Sequence, residues 1–180
     1  MSRCLLIAIS MLSLPSHAGN IADTFGEGVF GLHWGASRSE IVAKFPEGKW
    51  SARPAGDATY TIVNSKPVLG IARPSQQIRF NLDASGRLTI VHVVFARDAA
   101  FNVALRAHKA FGPSEVGIDT DFLADNSTSR FMRWSDDGGV VLLLLLINLQ
   151  ELEAFPPSTY LIINGEGARG ARSKEALGFQ

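Results

Sequence analysis

The feature that most constrains this fold is an uninterrupted apolar run at residues 140–147 (VVLLLLLI). As a helix, a run of this length would span about 12 Å, whereas the hydrocarbon core of a bilayer is about 30 Å thick. As a strand of a membrane barrel it would need many alternating neighbours, and the other predicted strands are too few and too mixed. The run therefore predicts a strand that is covered on both faces within a folded domain.

Several other segments have the patterns of β-strands. Residues 76–82 (QQIRFNL) alternate between polar and apolar, which predicts one buried and one exposed face. Residues 88–95 (LTIVHVVF) are apolar on both faces, as in a central strand. Residues 129–134 and 140–147 flank a turn-forming stretch, which predicts a hairpin. The remaining predicted strands are residues 58–63, 68–72 and 159–163.

The first predicted helix begins with a capping box. Ser37 can accept a hydrogen bond from the Glu40 amide, while the Glu40 carboxylate accepts one from the Ser37 amide. Pro46 would end this helix, because the residue before a proline is pushed out of the helical region. Its predicted apolar face carries Ile41, Val42 and Phe45.

A second helix is predicted at residues 99–111, with Asp98 as its N-cap and Gly112 just beyond its C-terminal end. Its predicted apolar stripe consists of Phe101, Ala104, Leu105, His108 and Phe111. Short connections between neighbouring strands favour antiparallel pairing. We therefore predict an α+β fold of two layers, ordered helix–strands–helix–strands: an antiparallel sheet of about six or seven strands with two helices on one face.

The N-terminal residues have the pattern of a cleavable export signal. Arg3 supplies a positive charge, residues 4–14 are apolar or small, and residues 16–18 (SHA) fit signal peptidase, which predicts cleavage between Ala18 and Gly19. The apolar run is too short for a membrane anchor. Cys4 lies too early and lacks the context of a lipoprotein signal, so no lipid anchor is expected.

The predicted organisation is a signal peptide at residues 1–18, a single α+β domain at residues 19–163 and a flexible tail at residues 164–180. Residues 19–30 are predicted as a loose lead-in or edge segment and residues 46–57 as a loop. Cleavage would leave 162 of the 180 residues, with no cysteine and a net charge of −1. The domain must then rely on its core rather than on disulfides, and nothing in its charge favours nucleic-acid binding.

The motifs that resemble cofactor and metal sites lack the neighbouring structure or residues that such sites require. Two G-x-G-x-x-G stretches, residues 26–31 and 165–170, lack the βαβ setting of a dinucleotide site. The loop acids Asp119, Asp121 and Asp125 do not match a calcium loop, because the fifth, sixth and twelfth positions are not suitable residues. The mature histidines, His33, His92 and His108, are single residues on separate elements, although the fold could bring them together. No cofactor or metal is predicted.

The sequence also has no recognisable catalytic motif, which argues against an enzyme without excluding one. The best candidate for a binding surface is Trp50, beside Arg53, because Trp and Arg dominate the energetics of protein interfaces. The alternative for Trp50 is a loop tryptophan folded back onto the sheet. Asn126 starts a glycosylation triplet, which matters only in a host with that machinery.

Residues 31–41 (GLHWGASRSEI) resemble the helix start of many small exported bacterial proteins, roughly G-[LI]-x-W-G-x-S-x-x-E-[VI]. The layout also resembles the β-lactamase-inhibitor-like architecture, shared by the small lipoprotein of the outer-membrane assembly machine. Unlike that lipoprotein, this chain lacks a lipidated cysteine after the signal. The resemblance implies an envelope protein that acts by binding.

We therefore predict an exported envelope protein, periplasmic or secreted, that binds a protein partner. The alternative is a small-ligand-binding protein or a hydrolase whose site is assembled across loops and includes His33, His92 or Asp121. The identity of the partner, the oligomeric state and the biological process are left open by the sequence.

Overall fold

A computed structural model describes residues 21–52, 58–72, 76–115, 130–135, 139–147 and 158–168. The fold is α+β, as predicted. Its helices are α1 (Ile21–Phe25), α2 (Arg38–Lys44) and α3 (Ala100–Phe111), the last preceded by a 3₁₀ turn (Arg97–Ala99). Its strands are β1 (Gly28–Val29), β2 (Leu32–His33), β3 (Lys49–Ala52), β4 (Ala58–Asn64), β5 (Gln76–Leu82), β6 (Leu88–Ala96), β7 (Arg130–Ser135), β8 (Val141–Ile147) and β9 (Ser158–Asn164).

The main sheet has seven strands in the order β3-β4-β5-β6-β9-β8-β7, and every neighbouring pair is antiparallel. Strand β6 is central, as its two apolar faces predicted. The last strand, β9, inserts between β6 and β8, so the predicted hairpin β7–β8 forms one end of the sheet. Strands β1 and β2 form a separate short hairpin.

The two faces of the sheet have different surroundings. One face carries a row of buried side chains that are in register across six strands. Helices α2 and α3 lie on this face: Phe45, at the end of α2, stacks on Phe80, and Gly112 O, at the end of α3, accepts from Trp134 Nε1. On the opposite face the aligned residues of the central strands are only half-buried. The buried row is Tyr60, Phe80, Val91, Ile163, Leu142 and Trp134, and the half-buried row is Thr61, Arg79, His92, Ile162 and Leu143. Strand β8, within the run at residues 140–147, is therefore not covered equally on its two faces: Leu142 and Leu144 are buried, whereas Val141 and Leu143 on the second face are only half-buried.

Helix α2 has the predicted capping box. Ser37 Oγ accepts from the Glu40 amide at 3.4 Å, and Glu40 Oε2 accepts from the Ser37 amide at 2.8 Å. The helix ends at Lys44, just before Pro46, and buries Ile41, whereas Val42 is exposed. Hydrogen bonds from the Ser37 hydroxyl and amide, and then from His33, lower the pKa of Glu40 from 4.5 to about 2.

This lowered pKa predicts acid sensitivity of the cap. A carboxyl group whose pKa falls on folding contributes stability above its unfolded pKa, and that contribution is lost as pH falls toward the folded pKa. We expect Glu40→Gln to lower the thermal midpoint at pH 6 to 7, and the difference from wild type to vanish between pH 4.5 and about 2. Thermal unfolding followed by circular dichroism across this range tests the prediction, with Glu47→Gln as a control outside the capping box. A difference that does not change with pH would contradict it.

Helix α3 differs from its prediction at its N-terminus. Asp98 lies in the 3₁₀ turn, and the N-cap position is Ala99, which makes no side-chain capping bond. The prediction of Asp98 as N-cap was therefore wrong. Ala99 has helical dihedral angles (φ −79°, ψ −8°), so the chain enters α3 from the 3₁₀ turn and not from the extended geometry of a capping residue. At the other end Gly112 has φ +79° and its amide donates to His108 O, in agreement with the predicted C-terminal end.

The buried stripe of α3 is also rotated from its predicted position. Phe101 and Leu105 are each 55% exposed, and His108 is exposed as well. The buried residues are Val103, Ala104, Ala107 and Phe111, a stripe turned by roughly a quarter of a helical turn. Small side chains at the sheet allow the helix to lie close to it, which a stripe of Phe and Leu would prevent.

Four segments differ in structure from their prediction. Residues 46–57 contain the edge strand β3, and residues 19–30 contain α1 and β1. Residues 68–72, predicted as a strand, form a tight turn closed by a bridge between Val68 and Ile71. Residues 164–168, assigned to the tail from sequence, pack on the domain, with Ala168 only 4% exposed. The predicted signal peptide and the rest of the predicted tail lie outside the described residues.

Candidate functional site

An apolar groove of about 720 Å³ lies on the helix-bearing face of the sheet. Leu161 and Ile163 of the central strand β9 are at its base. Around them stand α1, the β1–β2 hairpin, the C-terminal end of α3 and the turn after β4. The side chains at its walls include Phe25, Phe30, Val68, Leu69 and Phe111.

Trp34 fixes the N-terminal wall of this groove. Its indole is 3% exposed, and Nε1 donates to Phe25 O at 2.7 Å, which ties the end of α1 to the domain. The ring lies against Gly165, where an added Cβ would come within 2.0 Å of Trp34 Cδ2. The ring centroids of Phe25 and Phe111 are 5.7 Å apart and join α1 to α3. The segment predicted as a loose lead-in is thus a positioned wall.

Two tight turns at the groove share an uncommon sequence. Phe30-Gly31 joins β1 to β2, and Leu69-Gly70 joins Val68 to Ile71. All four residues have positive φ, at 53° and 71° in the first turn and 51° and 67° in the second. Positive φ at both positions of a two-residue loop defines a type I′ turn, whose first position prefers Asn, Asp or Gly. A large apolar residue in this conformation costs roughly 1–2 kcal/mol.

Phe30 and Leu69 are the non-glycine residues with positive φ in the described part of the chain, and both line the groove. Phe30 packs edge-on against the buried Phe80, with ring centroids 6.4 Å apart. Backbone strain of this kind persists where the surroundings impose it, and it concentrates at functional sites. Two turns with unfavourable backbone conformations therefore place large apolar side chains at the same groove.

Each turn also has a cation beside it. Arg106 Nη1 donates to Leu69 O at 3.0 Å, and a Cβ built on Gly31 would lie 2.6 Å from Lys44 Nζ. Both side chains belong to exposed residues. The apolar groove is thus flanked at its two turns by positive charge.

The cluster of Ser37, Glu40 and His33 near the groove resembles a catalytic triad in composition but not in order. Ser37 Oγ donates to Glu40 Oε2 at 2.6 Å, and His33 Nε2 lies 3.0 Å from Glu40 Oε1. The carboxylate stands between the serine and the histidine, so the imidazole is not placed to remove the serine proton. A carboxylate with a pKa of about 2 is also a weak base. The cluster caps α2 and gives no support to the hydrolase alternative.

Trp50 lies in the edge strand β3, not in a loop, and is 40% exposed. Its ring centroid is 4.7 Å from that of Tyr60, and the Arg38 guanidinium lies 5.2 Å from the centroid of the Trp50 ring. One side of the indole is therefore packed on the sheet, which agrees better with the alternative interpretation of Trp50 as a tryptophan folded back onto the sheet. Arg53 lies outside the described residues, and a binding role for Trp50 stays a prediction.

The histidines are not brought together. His92 points to the sheet face opposite the helices, whereas His33 and His108 belong to the β1–β2 hairpin and to α3. Over the described ranges, no group of three His, Cys, Asp or Glu residues could hold a metal ion. Asp119, Asp121, Asp125 and Asn126 lie outside those ranges.

The glycine-rich stretches have structural roles. The first, residues 26–31, runs from the end of α1 into the β1–β2 hairpin. In the second, Gly165 makes room for Trp34, and Gly167 packs on the backbone of Gly139. Sequence reasoning missed the groove, although the pairs Phe30-Gly31 and Leu69-Gly70 between short apolar stretches were a signal for tight hairpins.

A second apolar surface lies on α3. The exposed side chains of Phe101 and Leu105 border a smaller cavity of about 340 Å³ together with Pro113 and Met132. Residues 116–129, which follow this surface in sequence, are outside the described residues. The groove is the stronger candidate because strained turns and positive charge converge on it.

Comparison with protein-family models, with curated proteins and with solved structures found no match for this chain. Among the residues that the structure describes, none of the helices has the length and apolar character needed to span a bilayer.

Proposed function

We propose that this chain is an exported envelope protein that binds a protein partner through the apolar groove. The observation that carries the proposal is the pair of strained type I′ turns, which hold Phe30 and Leu69 at the groove. If the turns served folding alone, Asn or Gly at these two positions would give the same turns without the strain. Both side chains pack in part on the core, and we assign to contact with a partner the part of each that faces the groove.

The export part of the proposal rests on the sequence. Cleavage after Ala18 would keep every described residue, from Ile21 onward, in the mature chain. The absence of cysteine after Cys4 means that the exported domain would fold without disulfides, on a core built across the seven strands. The resemblance to small exported bacterial proteins agrees with this role, and the periplasmic or secreted location stays a prediction.

A second candidate is a small apolar ligand. The groove volume of about 720 Å³ is within the range of ligand pockets, and its lining is mostly apolar. A protein partner is favoured because the groove is open to solvent, whereas pockets that hold small apolar molecules enclose most of the ligand surface.

Site-specific photocrosslinking in the source organism distinguishes these candidates. A photoreactive amino acid replaces Thr24, an exposed residue at the groove, or Val63, which is 61% exposed on the opposite sheet face. We expect one discrete protein adduct from position 24 and none from position 63. If no protein adduct forms and native mass spectrometry shows a co-purified small molecule, the ligand candidate is correct. If neither is found, the groove is not a binding site.

Leu69→Asn provides the matched loss-of-binding variant. It places Asn before Gly70, the favoured pair for a type I′ turn, and removes the apolar side chain from the groove. We expect the adduct from position 24 to disappear while the free energy of unfolding stays unchanged or rises by about 1 kcal/mol, since relief of strain offsets the lost burial of a half-buried leucine.

Val68→Asn is the control for that expectation. Val68 is also half-buried at the groove but is not among the residues with positive φ, so asparagine there relieves no strain. Urea unfolding should show Val68→Asn to be the less stable of the two by roughly 1–2 kcal/mol. Equal destabilisation by both substitutions would show that the turn at Leu69 stores no strain.

A further inference from the structure

We propose that the partner segment bound in the groove carries an acidic residue next to its apolar side chains, with the carboxylate at one of the two turns, beside Lys44 or beside Arg106. This inference rests on the proposed function and specifies the chemistry of the partner. It comes from charge complementarity at the groove, where the lining supplies apolar contact and the two turns supply positive charge.

The two cations are available to a partner. Over the described ranges, neither Lys44 nor Arg106 has a carboxylate within ion-pair distance. Arg106 uses one donor on Leu69 O, which leaves most of its five N–H groups for a carboxylate and does not neutralise its charge. Lys44 lies in the last turn of α2 and reaches the hairpin turn at Gly31.

The remaining charge on the groove gives the bound segment a direction. Glu27 also lines the groove and precedes β1, so it lies at the base of the hairpin, away from the turn at Phe30-Gly31. A carboxylate on the partner is therefore attracted to the turns, where the cations lie, and not to the hairpin base. The expected arrangement is an apolar stretch over Leu161 and Ile163 that leads to an acidic residue at one of the two turns.

Selection from a library of random peptides tests the inference even while the partner is unidentified. Random 12-residue peptides on phage are selected against the mature chain, residues 19–180, and peptides that also bind the Leu69→Asn variant are removed. We expect the recovered peptides to contain apolar residues followed or preceded by Asp or Glu. Fluorescence anisotropy of a recovered peptide should show affinity that falls with added salt.

Charge reversal is the decisive variant. Lys44→Glu combined with Arg106→Glu should lower the affinity for a recovered acidic peptide by about tenfold or more. The same double variant should bind more tightly to a version of that peptide in which Lys replaces the acidic residue. Lys49→Glu, an exposed charge in the edge strand β3, should leave the affinity within about twofold. Circular dichroism of each variant shows whether the fold is kept, and Lys44→Gln with Arg106→Gln tests loss of charge without reversal.

The outcomes separate this inference from the proposed function. Peptides that require Leu69 but show no acidic preference, or that keep their affinity after charge reversal, overturn the inference and leave the groove as a binding site. If selection yields no peptide that depends on Leu69, the proposed protein-binding function fails, and the inference fails with it.

Discussion

Replacing Gly165 by Ala should destabilise the protein by about 3 kcal/mol. A Cβ at this position would come within 2.0 to 2.5 Å of three carbon atoms of the Trp34 indole. The ring cannot easily move away, because it is buried and its Nε1 holds Phe25 O at the end of α1. The variant must therefore either push the tryptophan out of the core or separate β9 from the N-terminal segment.

Urea unfolding measures this loss, and near-ultraviolet circular dichroism reports the environment of the indole. Gly86→Ala is the matched control, because a Cβ at Gly86 would meet its nearest atom, Arg38 Nε, at an ordinary contact distance of 3.7 Å, although its φ of +72° is unfavourable for alanine. That control should cost only about 1 kcal/mol. Similar losses for the two variants would mean that the contact between Trp34 and Gly165 is not tight. The Gly165 variant should also lose binding at the groove, since Trp34 positions the α1 wall.

Phe80→Ala is expected to cost about 3–5 kcal/mol. Phe80 is fully buried in strand β5, stacks on Phe45 with centroids 5.3 Å apart and supports Phe30 at the groove. Alanine would leave a cavity at the junction of the sheet, α2 and the hairpin turn. Phe80→Leu keeps most of the volume and should cost less than half as much.

Phe101→Ala is the comparison for that result. Phe101 has the same side chain in α3 but is 55% exposed, so its truncation should cost less than about 1 kcal/mol. Chemical denaturation of the three variants under one condition gives the ranking. If Phe101→Ala lowered the free energy of unfolding as much as Phe80→Ala, the apolar stripe predicted from the sequence would be correct and the observed rotation of α3 would be contradicted.

Much of the fold followed from local pattern. The alternation in residues 76–82 predicted the side-chain directions of β5, since strand side chains repeat every two residues and a shift of one would bury Gln77 and Arg79. The capping box at Ser37 and Glu40 predicted the start of α2, because both hydrogen bonds join residues three apart. The hairpin β7–β8 was predicted from its intervening turn.

The candidate site was not predicted. Its parts come from α1, the hairpin β1–β2, the turn after β4, the end of α3 and strand β9, so their proximity depends on long-range packing. Trp50 and Arg53 were selected on residue type, and residue type says nothing of the edge strand in which Trp50 lies. The strain at Phe30 and Leu69 exists only once the turns are closed by their flanking residues.

By itself, the sequence determined the α+β class, the antiparallel strands, the start of α2 and the end of α3, because these depend on periodicity and on contacts between residues close in the chain. The tertiary structure alone decided that β9 lies between β6 and β8, and that α3 turns Val103, Ala104 and Ala107 toward the sheet. It also decided where the groove lies. The physical reason is that several strand orders and helix rotations satisfy the same local pattern, and only close packing of the whole core distinguishes among them.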